Sequence, residues 1–195
     1  MYICLEGIDG AGKSTQIDYI KQWLIDSGFK VKKVVEPTDS DVGRLIRKLL
    51  RYPNATSENM QKTLGLLFAA DRLILKEEII KNENDDYVII SDRSFYSSLA
   101  YQIPQDWIYT INKYAKKPDL VILLDIDPNS AINRCSNEDT FENKEFLTDV
   151  RKNYLDLAKK EDFKIINGTN GENKVKSDIK KAIAPLLGIC VGGIE

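Results

Sequence analysis

The sequence predicts an α/β fold: a parallel sheet of about five strands flanked by helices on both faces. Three observations carry it. Short apolar runs alternate with longer amphipathic ones along the 195 residues, the order that builds βαβ units. The first apolar run passes through a glycine-rich loop directly into a helical pattern. A 43% apolar share in 195 residues suits one domain, 1–195, that buries its core without a disulfide or metal staple.

The strands are expected at Tyr2–Leu5, Val31–Val35, Tyr87–Ser91, Leu120–Asp125 and Phe163–Ile166, short segments mostly rich in β-branched residues and followed by polar or turn residues. Between them, Ser14–Ser27 places Ile17, Ile20, Trp23 and Leu24 on one side and stops at Gly28. Further helices are expected over Asp41–Arg51, Ser57–Asn82, Ser94–Lys116 broken at Pro104, Pro128–Arg134, Phe146–Lys160 and Asn173–Leu187. A doubly wound sheet of this kind binds its ligand beyond the C-terminal ends of its strands.

Composition excludes several chemistries. There is no histidine, which removes Ser-His-Asp and Cys-His catalysis and histidine-containing zinc sites. The three cysteines, Cys4, Cys135 and Cys190, are far apart and odd in number, which fits reduced, buried residues in a cytoplasmic protein. A net charge of −2 from 28 basic and 30 acidic residues argues against a broad nucleic-acid surface. The start, MYICLEGIDG, lacks a basic n-region, and the uncharged run Ala182–Ile194 is too short to span a bilayer. No membrane partner is expected.

Gly7-Ile8-Asp9-Gly10-Ala11-Gly12-Lys13-Ser14 matches G-x-x-x-x-G-K-[ST] and sits where that motif must, between a strand and a helix. Its glycines let successive N–H groups turn toward phosphate oxygens, and the following helix adds its N-terminal dipole. Lys13 is placed to reach the β- and γ-phosphates, and the Ser14 hydroxyl to bind Mg²⁺. The expected fold is therefore the three-layer P-loop NTPase fold, with a nucleoside triphosphate as ligand. Asn112-Lys113, Asn143-Lys144 and Asn173-Lys174 all lack the Asp of a guanine-reading motif, and no LSGGQ stretch is present. With a small domain and no motor-like extension, a small-molecule kinase is the leading expectation. The apolar strand Tyr87–Ser91 ends in Asp92-Arg93, an acid suited to Mg²⁺ beside a planar donor suited to phosphate. Asp125, after Val121–Leu124, is the rival for the metal.

Asp92-Arg93-Ser94-Phe95-Tyr96-Ser97-Ser98-Leu99-Ala100-Tyr101-Gln102 closely resembles the D-R-[YF]-x-x-S-x-x-A-Y-Q signature of thymidylate kinases. Leu5–Gln16 resembles that family's phosphate loop, and Glu36-Pro37, Leu67–Arg72 and Lys117–Leu120 follow in family order. The resemblance implies transfer of the γ-phosphoryl group of ATP to dTMP, with Mg²⁺. It implies that Gly7, Ile8, Asp9, Gly10, Ala11, Gly12, Lys13, Ser14 and Thr15 hold ATP, with Arg134 stacking on the adenine. Phe68 and Arg72, four apart on a helix, would stack on and bond the pyrimidine. Ser97 and Ser98 would lie near the thymine N3 edge with Gln102, and Tyr101 beneath the sugar. Asp9 would bind the deoxyribose 3′-hydroxyl. Arg93 and Arg47 would hold the dTMP phosphate, with Ser14 and Asp92 toward the metal. A mobile lid over about 136–149 and a homodimer are carried over from the family.

Two departures stand out. The family supplies a catalytic arginine from the phosphate loop or the lid, yet position 10 is Gly and no arginine follows Arg134 within the lid. The transition-state charge would then rest on Lys13, Mg²⁺, Arg93 and either Arg134 or Lys144. Ser94 stands where an aromatic commonly follows Asp-Arg. Two other readings stay open: a nucleoside monophosphate kinase with relaxed acceptor choice, and a non-catalytic nucleotide-binding protein.

Overall fold

The structure, a computed structural model, describes residues 1–134 and 144–189. Five parallel strands run in the order β2-β3-β1-β4-β5: β1 (Tyr2–Glu6), β2 (Lys30–Val35), β3 (Tyr87–Asp92), β4 (Leu120–Asp125) and β5 (Lys164–Asn167). The fully buried β1 pairs with β3 on one side and β4 on the other, which explains its near-continuous apolar reading. Each expected strand is present, with ends shifted by one residue where they differ.

Helices α1 (Lys13–Asp26) and α8 (Glu172–Ile183) pack on one face, α1 through Ile17, Ile20 and Leu24. The other face carries α2 (Asp41–Leu50), α3 (Glu58–Asn84), α4 (Phe95–Tyr101), α5 (Gln105–Ile111), α6 (Pro128–Ile132) and α7 (Lys144–Glu161). Local chemistry sets several ends. Ser40 caps α2 by accepting from Gly43 N at 3.0 Å, and Asp127 caps α6 ahead of Pro128. The last predicted helix ends at Ile183 and tightens into a 3₁₀ turn over Ala184–Leu187, where Pro185 removes a donor. The lid expected over 136–149 lies outside the described residues up to 143; its last six residues open α7. Cys4 is buried with a free thiol, as expected, while Cys135 and Cys190 lie outside the described residues. No described helix is long and apolar enough to cross a membrane.

The sheet order brings two distant segments together. Leu5 pairs with Asp92, and Arg93 N donates to Leu5 O at 3.1 Å. Glu36 N donates to Asp92 O at 3.1 Å. The chain segments leaving β1, β2 and β3 thus emerge side by side at the sheet's C-terminal edge, where the order reverses about β1.

Candidate active site

A cavity of about 790 Å³ opens at that edge. At one end it is lined by Asp9, Gly10, Gly12, Lys13, Ser14 and Thr15, with Arg134 nearby. At the other end stand Glu36, Phe68, Arg72, Ser98, Tyr101 and Gln102, and Asp92, Arg93 and Ser97 also line it. Most of the residues singled out from the sequence therefore meet in one space.

The loop is shaped for close backbone approach. Gly7 has φ +144°, and a Cβ there would stand 2.6 Å from Leu124 O, so any larger residue would push the loop off β4. Gly7 and Ile8 supply carbonyls that accept from Lys13 Nζ at 2.9 and 3.0 Å, and Ala11 N donates to Ile8 O at 3.2 Å. Burial and the neighbouring Arg93 pull the Lys13 ammonium down to about 8, against Asp9, Asp92 and Glu6.

Ser14 Oγ donates to Asp92 Oδ2 at 2.6 Å, a hydroxyl and a carboxylate side by side. Two hard oxygens fit Mg²⁺, which takes one or two protein ligands and completes its shell with water and phosphate oxygens. Among the described residues no group of three or more His, Cys, Asp or Glu gathers around a point. The rival Asp125 is engaged elsewhere: Arg151 on α7 donates to its two oxygens from Nε at 2.6 Å and Nη2 at 2.9 Å. The sequence reading missed Arg151.

Arg93 adopts φ +75°, a strained conformation for a non-glycine residue of the kind that collects at functional sites. Its guanidinium pairs with Asp9, donates to Ser97 Oγ at 3.0 Å and Tyr154 OH at 3.3 Å, and stacks 5.2 Å from the Tyr101 ring. Tyr101 OH donates to Asp9 Oδ2 at 3.2 Å. Burial would raise the Asp9 carboxyl, but Arg93 and Lys13 outweigh it and hold it below the usual value.

At the far end Arg72 is 4% exposed and nearly saturated. Nε donates to Glu36 Oε2 (2.7 Å), Nη1 to Ser98 Oγ (3.0 Å) and Asn112 Oδ1 (2.9 Å), and Nη2 to Ser94 O (3.1 Å). A guanidinium has five N–H groups, so one Nη2 proton remains. The Phe68 ring lies 5.2 Å away. Gln102 donates to Gln61 O at 3.0 Å, while its buried Oε1 has no partner. Burial pushes the Glu36 carboxyl up to about 7 against the pull of Arg72.

Arg47 does not line the cavity. Its guanidinium donates to Thr38 O at 2.7 Å and Pro37 O at 2.5 Å and pairs with Asp39 at 3.2 Å. It lines a second concavity with Arg44, Lys48 and Arg51 and, in this structure, holds the carbonyls of the loop after β2. Glu6, Ser94, Asn112 and Tyr154 do not line the cavity but bond to Arg72, to Arg93 or to one another, a role the sequence reading did not give them. An acid directly after the apolar run Tyr2–Leu5, between the strand and the glycine loop, was the available signal for Glu6. Tyr154 was hidden because it continues the buried stripe Leu147, Val150, Ala158 of α7.

Comparison with known proteins gives a consistent result. The family model described as thymidylate kinase matches residues 5–179. A probable thymidylate kinase of Methanobrevibacter smithii is 60% identical over 190 residues, covering 97% of each chain. One from Methanothermobacter thermautotrophicus is 48% identical over 194 residues, covering 100% of both. Among solved structures, the thymidylate kinase of Candida albicans superposes with a TM-score of 0.82 at 25% identity, over 95% of this chain and 92% of the other.

Proposed function

We propose, from the premise that the chain belongs to the thymidylate kinase family, that its site transfers the γ-phosphoryl group of ATP to the 5′-phosphate of dTMP, giving dTDP and ADP. The single observation that carries this is the continuity of one cavity from the phosphate loop to the Phe68–Arg72–Gln102 end. Two anionic nucleotides fit there end to end, each with its own donors.

The acceptor is already an oxyanion, so the reaction needs alignment and charge neutralisation more than acid–base chemistry. Lys13 exchanges the carbonyls of Gly7 and Ile8 for the β- and γ-phosphate oxygens. Arg93, poised between Asp9, Ser97 and Tyr154, holds the dTMP phosphate in line. Ser14 and Asp92 would hold Mg²⁺, which supplies electrostatic stabilisation of the transferring group. Arg134, whose Nη1 lies 3.4 Å from Gly168 O, borders the adenine side.

Base reading falls to the far end. Phe68 offers a face for stacking, the remaining Arg72 Nη2 proton suits O4, and the orphan Gln102 Oε1 suits the N3–H of thymine. Tyr101, fixed over Arg93, crowds the place of a ribose 2′-hydroxyl. A second copy of this chain is the macromolecular partner, on the outer face of α3, and the setting is cytoplasmic.

A coupled ADP-release assay with ATP, Mg²⁺ and a panel of monophosphates tests the reading. Turnover with dTMP well above that with UMP and CMP is expected. Equal rates across the panel would remove the base-reading argument, and no turnover with any acceptor would remove the kinase reading.

A further inference from the structure

Glu6, the last residue of β1, is fully buried and does not line the cavity, yet four donors of the surrounding site converge on it. Oε1 accepts from Ser94 N at 2.8 Å and Ser94 Oγ at 2.7 Å. Oε2 accepts from Ser97 Oγ at 2.7 Å and Tyr154 OH at 2.8 Å. These partners come from the loop after β3, from α4 and from α7.

The direction of these bonds matters. A carboxylate only accepts, and a hydroxyl owns one proton. Ser97 Oγ and Tyr154 OH also lie 2.9 Å apart, where either can donate; with both protons drawn to the carboxylate, the two oxygens present lone pairs to Arg93. Arg93 Nη1 donates to both of those oxygens. A one-way chain results: guanidinium N–H to hydroxyl, hydroxyl O–H to carboxylate. On its other oxygen, Glu6 takes both donors of Ser94, the residue directly after the strained Arg93 backbone. The serine in place of an aromatic therefore contributes directly, because a phenyl ring there offers no O–H to this carboxylate.

We propose that Glu6 is a positioning residue for phosphoryl transfer: by fixing the hydroxyl protons of Ser97 and Tyr154 it aims Arg93 at Asp9 and at the acceptor phosphate. This rests on the reading of the cavity as a dTMP kinase site. It implies that orientation of the acceptor arginine is set from beneath the sheet edge, by a group that never meets the nucleotide.

The test is Glu6→Gln, nearly the same shape but with an amide that brings two protons of its own. At least one partner must then turn its O–H away from position 6, for example toward the neighbouring hydroxyl 2.9 Å away, which changes the lone pairs offered to Arg93. The expected result is a fall of about ten- to a hundredfold in kcat/KM for dTMP, with the KM for ATP within about twofold of wild type. Tyr154→Phe is expected to lower kcat/KM for dTMP on its own and to add little when combined with Glu6→Gln. Unchanged dTMP kinetics in Glu6→Gln, or equal losses toward both nucleotides that add independently of Tyr154→Phe, would overturn the proposal.

Should Glu6→Gln fail to fold, Tyr154→Phe carries the test, and unchanged dTMP kinetics there would overturn it. Should the wild type phosphorylate no dTMP, the kinase reading fails separately. Orientation of Arg93 is then read without nucleotide by ¹⁵N-arginine NMR. Distinct, slowly rotating Nη–H signals are expected for Arg93 in the wild type and averaged ones in Tyr154→Phe; identical signals in both would overturn the proposal.

Discussion

A Cβ built on Gly10 would stand 2.3 Å from the carbonyl oxygen of Ala131, and the Gly10 backbone sits at φ +78°. The phosphate loop is thus pressed against the backbone of α6, and no side chain fits at the position where the family places a loop arginine. Gly10→Ala is expected to cost about 2–4 kcal/mol, from left-handed strain and overpacking against a main-chain atom. Chemical denaturation measures it. Gly10→Arg is expected to give no rate gain in the dTMP assay; a faster enzyme would mean that α6 gives way easily.

Lys13 is buried and holds two loop carbonyls in readiness for phosphate. Lys13→Ala is expected to lower turnover at least about a hundredfold, the scale of losing a preorganised donor at a developing charge. The affinity for dTMP should stay within about twofold, because the acceptor's donors lie on other elements. Steady-state kinetics with a separate dTMP titration distinguish the two, and retained turnover would contradict the role of the loop.

The fold was readable because its signals are local. β-branched runs bounded by turns gave five strands, and a glycine loop between strand and helix located the sheet edge. The parts of the site that were not readable depend on tertiary pairing. Arg72 was expected to face the base, yet three-dimensional packing commits four of its five N–H groups to Glu36, Ser98, Asn112 and the Ser94 carbonyl. Asn112 drew attention only as half of a missing motif. Arg47 lies on a helical stripe with Arg44 and Arg51, and spacing alone does not say whether such a stripe meets ligand or carbonyl; here it meets the carbonyls of Pro37 and Thr38.

The lowered Lys13 value, about 8 in the free protein from burial and Arg93, sets a pH dependence. Bound phosphates favour the ammonium, so ATP binding restores the proton. The Lys13 contribution to ATP affinity is then level below pH 8 and falls as pH rises above it, because the neutral amine must first be protonated. Calorimetric titrations at pH 8.5 in buffers of different ionisation enthalpy should show proton uptake on ATP binding. Lys13→Ala should show none from this group.

Glu36 supplies a stability test. Its carboxyl is raised from 4.5 to about 7 by burial, so the folded state holds the proton more tightly than the unfolded chain. Its contribution is fully present below pH 4.5 and is lost as pH rises through 7. The difference in unfolding free energy between wild type and Glu36→Gln should therefore change by about 1–3 kcal/mol between pH 4.5 and pH 8, against the wild type at high pH. Denaturation curves at both pH values measure it, and a constant difference would show that Arg72 holds Glu36 ionised throughout.

The outward face of α3 offers the last test. Leu66, Leu73 and Ile80 recur every seven residues and are 55%, 45% and 40% exposed. The opposite side of the helix, through Leu64, Leu75 and Ile79, is buried. A seven-residue apolar seam left in water is what two antiparallel or parallel copies of one helix cover in each other. A charge in the seam is costly only when the seam is covered. The variant Leu66→Glu with Leu73→Glu is therefore expected to halve the mass measured by light scattering while the thermal transition of the monomer remains cooperative. An unchanged mass, whether monomeric or dimeric in both proteins, would show that this face does not join two copies.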